Sequence, residues 1–191
     1  MKLLSVAAAS LLALSAASAA AQGNPQVRDG FTISFGLGGG SAALSCPGCG
    51  TTPRETGLSG YLRVGGAVSP TLVLSAESNG WSKTIDGVDT RMGALLGVAQ
   101  WYPSVTSGFH MKGGLGFSAY SEEDPTAKAQ AIGLGYQVGA GYDVRMARNF
   151  SLTPYLQYVR AFRAKALTQG SSTGDDVSPN YLHAGLGFTW H

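Results

Sequence analysis

The sequence predicts an all-β fold: an eight-stranded, antiparallel, up-and-down transmembrane β-barrel. Three observations predict it. The first is period-two alternation between an apolar face and a small or polar one. It is clearest over 181–191, where Leu182, Ala184, Leu186, Phe188 and Trp190 alternate with Tyr181, His183, Gly185, Gly187 and Thr189. The second is composition. Charged residues make up 13% of the chain, against roughly 25% in an average soluble domain, and the 28 glycines among 191 residues are about double the usual share. The third is a regular alternation of short and long connectors.

The first 21 residues read as a cleaved signal peptide. Lys2 supplies the positive n-region, Leu3 to Leu14 the apolar h-region, and Ala19-Ala20-Ala21 an A-x-A cleavage site. The apolar run is too short to span a bilayer as a helix. Residues 22–29 form a polar periplasmic lead-in, and 30–191 the barrel domain. Taking 21 from 191 leaves 170 residues, one domain's worth. Without Lys2, 12 basic residues face 11 acidic ones, a balance that argues against nucleic acid as a partner.

Strand one (30–39) sets Phe31, Ile33, Phe35 and Leu37 against Thr32, Ser34, Gly36 and Gly38. Strand two (57–68) carries Leu58, Leu62, Val64 and Val68 on one face. Strand three covers 72–81. Strand four (about 90–102) reads almost equally well in either phase, and the phase adopted turns Arg91 inward. Strand five (109–119) opposes Phe109, Met111, Leu115 and Phe117 to His110, Lys112, Gly114 and Gly116. Strand six (130–143) opposes Ile132, Leu134, Tyr136 and Val138 to Gly133, Gly135, Gln137 and Gly139. Strand seven spans 150–161, and strand eight is 181–191.

Connectors after strands two, four and six are tight: Ser69-Pro70-Thr71, 103–108 and 144–149. Those after strands one, three, five and seven are longer: 40–56, 82–89, 120–129 and 162–180. Short periplasmic turns and longer extracellular loops are the layout of a bacterial membrane barrel. The aromatics then read as two interfacial belts. Trp101, Tyr102, Phe109, Tyr142, Phe150 and Trp190 lie at the short-turn end, and Trp81, Tyr120, Tyr158, Phe162 and Tyr181 at the long-loop end.

Gly185, Phe188 and Trp190 on the closing strand, and Leu152-Thr-Pro-Tyr-Leu-Gln-Tyr158 before it, carry a family resemblance. From about Gly30 to His191 the chain resembles the small eight-stranded outer-membrane barrels of the OmpA/OmpX type. The resemblance implies a place in the bacterial outer membrane. It also implies that the barrel-assembly machinery reads Gly185, Phe188 and Trp190 as its signal. That signal usually ends on the aromatic, whereas here His191 follows.

An eight-stranded barrel is just wide enough for side chains to fill it. If Val68 and Leu72 are the last pair of their hairpin, Arg63 falls opposite Glu77. The same reasoning from Ala119 and Gln130 sets Lys112 opposite Gln137, and from Tyr158 and Leu182 it sets Gln157 opposite His183. With Arg91 and Asp143 also inward, these groups are expected to pair and plug the lumen, because charge at membrane depth must face an interior. A narrow gated ion path through the same charges is the alternative.

Cys46 and Cys49, in an exported chain and a Gly/Ser/Thr-rich stretch, predict a loop disulfide. A redox role needs a thiol at a helix N-terminus, and no helical pattern surrounds them. No metal or cofactor is expected. Deacylases of the family place a His and a Ser two residues apart on one strand face. Here His110 is followed by Lys112 and His183 by Gly185, so no catalytic residue is assigned. Arg160, Arg163 and Lys165, at the outer end of strand seven, suit lipopolysaccharide phosphates, which guanidinium groups bind bidentately; plain snorkelling is the other reading. The expected function is structural or surface-interacting, through 40–56 and 162–180, in a monomer surrounded by outer-membrane lipid. The competing readings are a narrow channel, a lipid A-modifying enzyme and a soluble periplasmic lipocalin-like barrel.

Overall fold

Alternation becomes extended strand along nearly all of the described residues. The structure, a computed structural model, describes residues 26, 28–46, 50–85, 87–123, 128–168 and 171–191; the expected signal peptide lies outside them. Eight long strands form the wall: β1 (Phe31–Cys46), β2 (Glu55–Ser69), β3 (Leu72–Ile85), β4 (Val88–Trp101), β5 (Phe109–Glu123), β6 (Lys128–Tyr142), β7 (Phe150–Thr168) and β8 (Ser171–Trp190). Each pairs antiparallel with its sequence neighbour. β8 returns to β1, from Ile33–Trp190 to Ser45–Ser178, so the sheet closes on itself. Two short segments, Gly50–Thr51 and Val144–Ala147, pair with β1 and β7 at the barrel's ends.

Closure leaves an outer face of large apolar side chains. Phe31, Leu37, Leu58, Leu95, Leu115, Phe117 and Ile132 are each more than half exposed. A wall of this kind aggregates in water and is covered by a bilayer. This rules out the lipocalin-like alternative, which needs charged residues on the outside.

The strands run further than the sequence predicts. Residues assigned to the long loops continue the ladders as hairpins, with β1 reaching Cys46, β3 Ile85, β5 Glu123 and β7 Thr168. The connectors left at that end are 47–54, 86–87, 124–127 and 169–170; at the opposite end they are 70–71, 102–108 and 143–149. The two ends therefore differ in how far their hairpins project. A register shift between Ile132 and Leu134 interrupts the β6–β7 ladder. Around it, Phe162 and Lys165 are both exposed while Ala161 and Ala164 are buried.

The β1–β8 seam is stitched on both faces. Outside, Phe35, Phe150, Phe188 and Trp190 form a ring cluster, with centroids 5.3 Å apart for Phe35–Phe188 and 4.9 Å for Phe150–Trp190. Inside, Ser34 Oγ donates to Thr189 Oγ1 at 2.9 Å. Gly38 and Gly185 pair across the seam, and a Cβ on either would strike the opposing backbone. Only glycine permits that approach.

Candidate functional site in the barrel lumen

Inward positions follow strand parity. β2 points Tyr61 and Arg63 into the lumen, β3 Glu77, Asn79 and Trp81, and β5 His110 and Lys112. β7 adds Thr153, Tyr155 and Gln157, and β8 adds Tyr181, His183 and Thr189. Many of the inward glycines underlie a large side chain. A Cβ on Gly40 would lie 2.8 Å from Trp81 Cδ1, and one on Gly36 or Gly187 would overlap the Tyr61 ring. The glycine content thus makes room for the rings that fill the lumen.

At mid-lumen Glu77 is fully buried. Lys112 Nζ donates to both of its carboxylate oxygens at 2.8 Å, and Arg63 Nη1 lies 3.5 Å from Oε2. Arg63 stands opposite Glu77 in the β2–β3 ladder, but the tighter partner comes from β5 across the lumen. Arg63 Nη2 donates to Ser34 Oγ at 3.1 Å. From Ser34 a run of hydroxyls continues through Thr189 to Thr153, whose Oγ1 donates to Asp143 Oδ1 at 2.7 Å. Tyr102 OH donates to the other oxygen of Asp143 at 2.7 Å, and Gln100 Nε2 donates to Tyr102 OH at 2.6 Å. Glu77 and Asp143 are thereby linked to Arg63 and Lys112, as buried charge requires.

Beside this lies an amide and imidazole layer. Asn79 Nδ2 donates to Gln137 Oε1 at 2.8 Å, and Gln157 Nε2 donates to Asn79 Oδ1 at 2.5 Å. Gln157 Nε2 is also 2.5 Å from His183 Nε2, and the two residues face each other in the β7–β8 ladder. Towards the long hairpins the lumen turns apolar. Ala42, Trp81, Met92, Tyr120, Ala131, Ala161, Ala164 and Tyr181 belong to one contiguous buried cluster, which Leu96 and Val98 extend past mid-lumen towards the short turns. Trp81 Nε1 donates to Gly40 O at 3.1 Å, so the indole enters without losing its hydrogen bond.

Several expectations need correcting. Arg91 is not in the interior network: its side chain is 64% exposed and pairs with Asp89 at 3.1 Å. On β4 the inward residues are Met92, Ala94, Leu96, Val98 and Gln100, and the outward set (Leu95, Gly97, Ala99, Trp101) is as apolar, so polarity could not choose the phase. Lys112 faces Gly139, and Gln137 faces Gly114. The hairpin extends to Glu123–Lys128, which slides the register by two and leaves the faces unchanged. Trp81, Tyr102, Tyr120 and Tyr181 are buried in the lumen and are not belt residues. Trp101, Phe109, Trp190 and Phe162 do face outward.

Other assigned residues lie outside the lumen's centre. Cys46 ends β1 and is disulfide-bonded; Cys49 lies outside the described residues. Arg160 and Lys165 are exposed on the outer wall, and the Arg163 side chain lies outside the description. Gly185 and Phe188 sit in the seam, with Trp190 exposed beside them. His191 follows β8, where its N–H donates to Asn149 O at 3.1 Å and its Nε2 is 3.2 Å from Ser151 Oγ.

One contributor is absent from the sequence-based assignment. Arg28, in the lead-in, is buried at the short-turn mouth with its guanidinium 3.6 Å from the Tyr102 ring centroid. Its signal in the sequence is faint: a lone arginine two residues before the first strand.

No family model matches the chain, and no curated protein matches it. Solved structures do. Neisserial surface protein A superposes with a TM-score of 0.54 at 17% identity, covering 86% of this chain and 98% of its own. Ail, the attachment invasion locus protein of Yersinia pestis, superposes with a TM-score of 0.54 at 12% identity, covering 86% and 100%. The fold is that of a small outer-membrane β-barrel. At these identities the likeness carries the architecture alone.

Proposed function

We propose that this barrel is a closed outer-membrane protein with a structural or surface-interaction role, and that it neither conducts ions nor modifies lipid. One observation carries the reading: the lumen is occupied along its length by the Glu77 ion cluster, the amide layer and the apolar cluster around Trp81. The interaction surface is then the set of hairpins that project beyond the wall, chiefly those joining β1 to β2 and β7 to β8. Arg160 and Lys165, exposed on the outer wall near Phe162, suit contact with lipopolysaccharide phosphates, with Arg163 beside them in sequence. The barrel-assembly machinery is the partner proposed for Gly185, Phe188 and Trp190, and no cofactor is invoked.

The deciding experiment is reconstitution into planar bilayers. The proposal expects a current no different from that of the bare membrane, and regular conductance steps would overturn it. Lipopolysaccharide co-purifying with the barrel should fall when Arg160, Arg163 and Lys165 are all replaced by Gln; unchanged retention counts against that contact.

A further inference from the structure

The two ends of the lumen are closed by different means. Towards the long hairpins the seal is the apolar cluster, which belongs to the strands themselves. Towards the short turns most inward side chains are polar, among them Ser34, Gln100, His110, Asp143, Ser151, Thr153 and Thr189, with Val73 and Val98 between them. Across that mouth, beside the buried Tyr102 and Arg145, lie side chains from ahead of the wall. Arg28 Nη1 donates to Pro70 O and Val105 O, each at 3.4 Å, and Nη2 donates to Ser107 O at 2.5 Å. Pro70 belongs to the β2–β3 turn, and Val105 and Ser107 to the β4–β5 turn. Gln26 Nε2 reaches the third rim segment, donating to Asp143 O at 3.2 Å. Two residues ahead of β1 thus tie all three short turns, and the guanidinium covers the Tyr102 ring directly beneath.

We infer that Arg28 is a detachable bolt that closes the short-turn mouth and keeps water from the polar half of the lumen. A residue embedded in the wall could not play this part, because withdrawing it would break ladder hydrogen bonds. Arg28 precedes β1, and the contacts described for it are side-chain contacts with carbonyls, the Gln26 amide and a ring, so it can leave while the sheet stays closed. Its nearest ring, Tyr102, donates to Asp143, which joins through Thr153 and Thr189 to Ser34 and Arg63. Release of Arg28 therefore opens a wet half-lumen that ends blind at the apolar cluster. Arg28 is a gate on access from one side, with no through-path.

The test uses the full-length barrel in lipid vesicles with a single reporter thiol, Thr153→Cys or, independently, Thr189→Cys. Both positions are buried in the polar half. Each reporter is built with Arg28 intact and with Arg28→Ala, and closure of every barrel is checked by its migration in unheated detergent gels. A small charged methanethiosulfonate reagent is added from the short-turn side. Labelling is expected to rise about tenfold or more in the Arg28→Ala background, the factor that corresponds to one lost charge-assisted hydrogen bond. Equal rates in the two backgrounds, whether both fast or both slow, overturn the inference. Arg28→Lys, which keeps the charge but not the planar fork or its stacking, is expected to fall between them.

Discussion

Glu77 offers the sharpest test of how the lumen is held. Replacement by Gln keeps the volume and removes the charge, leaving Lys112 and Arg63 as neighbouring buried cations. Lys112 loses two contacts at 2.8 Å, whereas Arg63 loses one at 3.5 Å, the edge of hydrogen-bonding range. Arg63 keeps Ser34 Oγ at 3.1 Å, while Lys112 keeps only the Tyr61 ring, 4.8 Å from its nitrogen, among the contacts described for it. Breaking one partner of a buried pair costs about 3–5 kcal/mol, and Glu77→Gln should fall in that range. Lys112→Met should cost less, because Glu77 retains Arg63. The double variant Glu77→Gln/Lys112→Met should recover part of the loss, since one of the two stranded cations is then gone. Urea unfolding of the barrel in lipid vesicles, followed by tryptophan fluorescence, gives all three values. A Glu77→Gln cost below about 1 kcal/mol, or a double variant additive to within about 0.5 kcal/mol, would refute the pairing.

The two classes of glycine and the outer wall make further predictions. Gly40→Val forces the Trp81 indole out of its seat and should destabilise by about 1–3 kcal/mol, with a changed near-ultraviolet dichroism signal for Trp81. Gly80→Val is the control: a Cβ there has nothing within 4 Å, so unfolding midpoints should match the parent. Leu115, 70% exposed on the wall, should lose about 2–4 kcal/mol as Leu115→Arg if it lies near the bilayer midplane. A neutral effect in the same vesicle-based unfolding experiment would place that face in water.

Legibility in the sequence depended on how different a strand's two faces are. β1, β5, β6 and β8 oppose Leu, Ile or Phe to Gly, Ser or His, and their phases could be read directly. β4 opposes Leu95 and Trp101 to Met92, Leu96 and Val98, so Arg91 was assigned to the wrong side. The Gln157–His183 register was accessible because the Tyr158–Leu182 pair sets every other. Arg63 does face Glu77, but the last pair assumed for that hairpin, Val68–Leu72, is not made: a bulge at Val68 pairs Leu72 with Ser69. Between β5 and β6 the assumed last pair lay inside the hairpin, and a slide of two residues leaves no trace in the alternation. Aromatic rings misled for a different reason, because they suit an interface and an interior equally. Parity alone could have placed Trp81, four residues from Glu77 and hence on its face. The Lys112–Glu77 contact crosses the lumen between non-adjacent strands, and no hairpin argument reaches that far.

The seam has a consequence for how the barrel comes together. Every other joint links strands that are sequence neighbours, but Ser34 and Thr189 meet across 155 positions. Closing a loop of that length carries the largest chain-entropy cost in the molecule. Until it closes, β1 and β8 are two free edges, able to pair with any other strand within reach. The four rings outside and the hydroxyl pair inside concentrate attraction at this joint. They favour self-closure over capture of a neighbouring chain, so Phe35→Ala or Phe188→Ala is expected to raise the share of intertwined assemblies, read by size-exclusion chromatography after refolding.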